Sequence, residues 1–148
     1  MATLDKDFIY YPKAKIVGAT YAVGSFIGFK DSLFYIPDKI EETEYRSYTT
    51  HKFSFAGKLP SEIVLEMTQN KDLTVDEMKD LLKELLPDNF QLHYKLENYR
   101  RFKISIPIFS FLRSITILPM GVVVPFQIII KDKPFLEKAK TFYAGMEK

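Results

Sequence analysis

The chain contains no cysteine and no tryptophan, and only two histidines among its 148 residues. Without thiols there is no disulfide framework, no thiolate nucleophile and no cysteine-based zinc or iron–sulfur site. Neither His51 nor His93 has a second ligand residue at helical i+4 or loop spacing, so no metal is expected. The six glycines form neither a Walker sequence nor G-x-G-x-x-G, and no cofactor is expected. There is no G-x-S-x-G elbow, and scattered Ser, His and Asp residues do not make a triad. No catalytic residue can be named, and the reading leans away from an enzyme. A dominant charge is also missing: 21 basic and 19 acidic residues leave a net charge of +2, so nucleic acid is not an expected partner. The first residues, MATLDKDFIYYPKAK, carry Asp5 and Asp7 and no apolar core of signal-peptide length. The expected location is therefore cytoplasmic, with membrane association as the alternative.

What is abundant is aromatic surface. Thirteen Phe and nine Tyr lie in a composition that is 47% hydrophobic and 27% charged, which is globular in balance. A domain of this length buries roughly 70% of the surface its unfolded chain exposes. With no repeat, Gly/Ser linker or low-complexity segment, residues 1–148 read as a single domain.

Ile16 to Phe29 is uncharged for 14 residues, short of the ~20 a spanning helix needs, and reads as one or two buried strands. Gly24 and Gly28 within it suit a bent or bulged strand, although their spacing is also that of closely approaching membrane helices. Lys30, Asp31 and Ser32 form a hairpin turn into LFYIP, where Pro37 is expected to end pairing or mark an edge. Glu41 to Phe55 reads as a half-solvated antiparallel strand with Tyr45 on its buried side, broken by FAGKLP. Pro60 and Ser61 open a short helix through Thr68, a segment that would also serve as a strand. Thr74 and Glu77 have the spacing of a capping box, with Leu73 and Met78 as a hydrophobic staple. The apolar face Met78, Leu81, Leu82, Leu85 and Leu86 continues this helix over 75–86 until Pro87 stops it. A second amphipathic helix, capped by Asp132, is expected over 134–146, with Phe135, Leu136, Ala139, Phe142, Tyr143 and Met146 as its apolar stripe.

Between these helices, Ile104 to Ile130 carries Arg113 as its only charged side chain. The mean hydropathy of Arg113 to Ile130 suits a membrane segment, but Phe102 to Ile108 and Ser114 to Ile117 alternate with the period of strands. Pro119 and Pro125 would each break a spanning helix. Val122 to Ile130 is expected as a fully buried strand. The fold class is therefore α+β, a mainly antiparallel, curved sheet with helices packed on one face; the alternative is a membrane-associated protein with a hydrophobic segment at 104–130.

The densest acidic group, Glu41, Glu42 and Glu44, reads as solvated charge beside a turn. The best binding surface is KLENYRRFK, in which Tyr99, Arg100, Arg101 and Lys103 combine cations with an aromatic face able to hold phosphate or stack a base. The competing account is a hairpin tip in which Asn98 and Tyr99 turn and the basic residues face water. The function expected from these features is non-catalytic binding or assembly through protein–protein contacts, with a protein partner or self-association. A membrane-associated accessory subunit is the alternative. A carrier or enzyme with an apolar-ligand pocket in the curved sheet is the third reading.

Overall fold

In chain order the elements are β1 (Phe8–Ile16), β2 (Thr20–Phe29), β3 (Ser32–Glu44), β4 (Ser47–Lys52), α1 (Pro60–Gln69) and α2 (Val75–Leu85). They continue with β5 (His93–Lys95), a 3-10 turn at Leu96–Asn98, β6 (Tyr99–Ser105) and a second 3-10 turn at Ser110–Leu112. The last three are β7 (Ser114–Pro119), β8 (Phe126–Ile129) and α3 (Lys133–Phe142). This computed structural model describes residues 1–17, 20–44, 47–88, 90, 92–121 and 125–148, with Glu44 described by its backbone alone. The strands form one antiparallel sheet of eight in the order β4-β3-β2-β1-β8-β7-β6, with β5 paired to the first residues of β3. It is a curved, open sheet made of two meanders joined where β1 meets β8.

Cross-strand packing explains that junction. Ile16, Ile128, Ile115 and Ile104 lie in one register line across β1, β8, β7 and β6, and all four are buried. β-branched side chains stacked this way fill the pleated inner face. The concave core adds Phe26, Tyr35, Tyr99 and Phe102, and α3 lays Phe135, Leu136, Ala139 and Phe142 across it. Side chains of alternate parity on β1, β2 and β3, among them Phe8, Ile27, Phe34 and Ile36, point the other way into a second core with Val64 of α1 and Met78 and Leu82 of α2. Helices thus cover both faces rather than the single face expected, because the central strands are apolar on both sides. The β6–β7–β8 meander buries only its inner face.

The capping box of α2 is present in full: the Thr74 hydroxyl accepts from the Glu77 N–H, and the Glu77 carboxylate accepts from the Thr74 N–H. Leu81 departs from the expected stripe and is exposed, since the buried arc is set by Met78, Leu82 and Leu85. Asp132 caps α3, which ends at Phe142 rather than 146; a turn follows in which Gly145 adopts φ +82°. Pro37 does not end β3. It sits opposite Gly24 at a bulge, on the stretch of β3 between its β5 and β4 partners, so its missing N–H costs no ladder bond. The segment expected as one strand over 41–55 is a hairpin, β3 turning back as β4, and Tyr45 lies outside the described residues. β8 spans four residues and alternates, with Gln127 exposed and Ile128 buried, so it is half-buried; Val122 to Val124 of the predicted strand lie outside the described residues. No helix among the described residues is long and apolar enough to cross a membrane, and the described residues of 104–130 contribute to strands and their connections.

Candidate functional site

The structure separates the four sequence-predicted residues. Tyr99 opens β6 with its ring turned into the core, 5.7 Å from the Tyr94 ring and 6.4 Å from that of Phe102. Burial, and then the neighbouring Tyr94, push its hydroxyl well above the ordinary range, so Tyr99 offers no face to a ligand at the surface. Arg100, Arg101 and Lys103 are exposed and make no hydrogen bond or ion pair among the described residues. A register shift between Tyr99 and Arg101 sets Arg100 apart. Arg101 and Lys103, two residues apart and opposite Leu118 and Thr116, share the outer face of the meander.

That outer face leads to a tip the sequence reading left unassigned. Between β6 and β7 the chain exposes Ile108 (91%), Phe109 (63%), Phe111 (62%) and Leu112 (51%). Arg113 organises this loop from its base. Its guanidinium donates to the Pro107 carbonyl at 3.2 Å, the Ile108 carbonyl at 3.4 Å and the Lys131 carbonyl at 2.9 Å. Leu112 N–H donates to the Phe109 carbonyl at 3.1 Å, and the Phe109 and Phe111 rings lie 5.8 Å apart. The only charge in the long apolar run is therefore spent on shaping it. The signal in the sequence is the failure of alternation after Pro107: IFSFL stands where a hairpin connection is ordinarily polar.

Charge follows the same geography. From Arg100 to Lys131 the chain holds five basic residues, Arg100, Arg101, Lys103, Arg113 and Lys131, and no carboxylate. On the β3–β4 edge two of the acidic residues have local partners. Glu41 forms an ion pair with Lys39 at 2.9 Å, and Glu42 is hydrogen-bonded to the His51 ring at 3.2 Å, so these two carboxylates are engaged separately along the hairpin. Glu41 is held below the ordinary carboxylate range by its hydrogen bonds from Tyr48 and Lys39. Among the described residues no group of three His, Asp or Glu side chains is placed to hold a metal ion.

No protein-family model matches this chain, and comparison with curated proteins and with solved structures gave no match. What the geometry presents is an ordered apolar tip on a meander whose outer face carries Arg101 and Lys103.

Proposed function

We propose that the protein is a non-catalytic binding module that docks on an anionic lipid surface by inserting the tip Ile108–Leu112. The observation that carries this reading is the arrangement of four large apolar side chains on one hairpin tip, with Arg101 and Lys103 on the strand behind it and the Glu147 carboxylate at the β6 edge held by the Ile104 N–H. Each such side chain taken fully from water contributes roughly 1.5–3 kcal/mol. Each Lys or Arg near an anionic leaflet adds about 1 kcal/mol. Because Arg113 already orders the loop, little conformational entropy opposes insertion. A protein partner is the rival occupant, since Phe and Arg are also enriched at protein interfaces, and the experiment separates the two.

Co-sedimentation with phosphatidylcholine vesicles, with and without phosphatidylserine, tests the reading. Wild type should partition at least ~10-fold more strongly with the anionic lipid, and Phe109→Ser with Phe111→Ser should remove most of that binding. Equal recovery of wild type and double variant on anionic vesicles would overturn it. So would a self-association, seen by ultracentrifugation, that the double variant disperses while vesicle binding is absent, since the tip would then be a protein contact.

A further inference from the structure

A cleft of about 680 Å³ opens at the other end of β6 from the tip, where the β2–β3 turn, α2, β5 with its 3-10 turn and the C-terminal residues converge. Its lining is dominated by lysine. Three of these cations are already committed. Lys79 donates to both carboxylate oxygens of Asp31, at 2.7 and 2.9 Å. Lys30 caps the Phe142 carbonyl and lies 3.8 Å over that ring, and Lys148 donates to the carbonyls of Leu96 and Tyr99. Lys83 and Lys95 are different: both are exposed, both line the cleft, and neither side chain has a hydrogen bond or ion pair among the described residues.

His93 stands near these two ammonium groups. Its ring lies flat on Phe34, with centroids 4.0 Å apart and planes 13° apart, so its orientation is fixed. Burial pushes its pKa below the ordinary imidazole value. Lys83, then Lys95 and Lys79, push it further down, and Asp31 alone opposes them. The cleft therefore holds an excess of positive potential around a neutral imidazole that can donate or accept.

We infer that this cleft binds a soluble phosphomonoester, its phosphate seated between Lys83 and Lys95 against His93. The volume lies within the several hundred cubic ångströms typical of small-molecule sites and exceeds what a bare phosphate fills. Ammonium groups act as compact point charges suited to a tetrahedral phosphate, and the lining has no guanidinium to clamp a planar carboxylate. Asp76 and Glu97 on the rim are acceptors for hydroxyls on the rest of the molecule, and Leu96 and Met146 give its carbon skeleton apolar contact. Six residue steps of β6, roughly 20 Å, separate this end of the strand from the tip. A headgroup in the surface that the tip enters is then out of reach, and the choice of a soluble ligand rests on that reading of the tip.

The test follows the His93 imidazole by NMR while glycerol 3-phosphate is added to the full chain, with sodium chloride at matched ionic strength as control. No membrane is present in this arm, so its result is independent of how the tip behaves. A saturable shift with an imidazole pKa that rises on binding is expected, weakened at least ~10-fold in the double variant Lys83→Gln, Lys95→Gln. Both positions are exposed, and unchanged thermal unfolding of the variant will show that its fold is intact. No saturation beyond the chloride control, or undiminished binding by the variant, would overturn the inference. A response to phosphatidic acid vesicles without any to glycerol 3-phosphate would overturn it as well, by placing the phosphate on a lipid.

Discussion

Gly28 shows how one residue without a side chain holds two layers together. A Cβ at this position would collide with the Tyr143 hydroxyl, which reaches over β2 to donate to the Phe29 carbonyl at 2.8 Å. Tyr143 is fully buried and its hydroxyl is pushed far up by burial, so it remains a donor. Gly28→Ala should therefore cost about 1–3 kcal/mol by overpacking. In urea unfolding, adding Tyr143→Phe to that variant should cost less than Tyr143→Phe does in wild type, because the clash disappears with the hydroxyl. Additive costs would show that the two do not meet.

His93 gives a second residue-scale prediction, with its sign set by burial and the neighbouring lysines. Its folded pKa lies below the unfolded value of about 6.5. Above that value both states are neutral. As pH falls through it the unfolded chain takes up a proton first, so stability declines until the folded pKa is reached. Wild type should lose more stability than His93→Gln between about pH 7 and pH 5. Parallel losses in the two proteins would show that the site does not depress this imidazole.

At the scale of elements, the parts with strong local signals were legible in the sequence and those fixed by distant partners were not. The Thr74 capping box, the Asp132 cap and the turn over Lys30, Asp31 and Ser32 all rest on residues a few positions apart; the caps are as expected, and the turn is too except that Ser32 already opens β3. Alternation in Phe102 to Ile108 and Ser114 to Ile117 likewise identified β6 and β7, although β6 ends at Ser105 and Ile106 to Ile108 lead instead into the exposed tip. Pro37 misled because its tolerance depends on a bulge opposite Gly24, 13 residues away. The same limit applied to the candidate site: KLENYRRFK carries four exposed cations, but whether Tyr99 faces in or out depends on the register with β7.

The loop between β6 and β7 is the element whose order comes from one side chain. Arg113→Ala would free the carbonyls of Pro107, Ile108 and Lys131, which are near enough to solvent to be rehydrated, so unfolding free energy should fall by only about 1–2 kcal/mol. Vesicle binding should fall further than the loss of one charge explains, because ordering the loop then opposes insertion. Arg113→Lys separates the two effects: it keeps the charge but cannot reach three carbonyls in a fork. Binding by Arg113→Lys equal to wild type would mean that charge, rather than loop order, is what Arg113 contributes.

For the whole molecule, the two meanders divide the surface. The β1–β4 half is covered by α1 and α2 on one face, α3 lies across β1 and β6 on the other, and among the described residues the outer face of the β6–β8 half is bare and carries Arg101 and Lys103. The free edge of β6 is closed by the chain's own last residues: Phe102 and Lys148 exchange backbone hydrogen bonds at 3.2 and 2.8 Å, and the Glu147 carboxylate accepts from the Ile104 N–H. These bonds occupy the edge of β6 at Phe102 and Ile104, where another strand could otherwise pair. Reversing charge on the outer face, with Arg101→Glu and Lys103→Glu, alters side chains that touch nothing in the core, so stability should change by no more than about 0.5 kcal/mol. Anionic vesicle binding should nevertheless drop by at least ~10-fold, and the loss should shrink as salt rises towards about 0.5 M. Glycerol 3-phosphate binding in the cleft should be unchanged, since the replaced residues do not line it. Loss of both activities together would mean that one continuous field over the molecule, rather than two separate sites, attracts the anions.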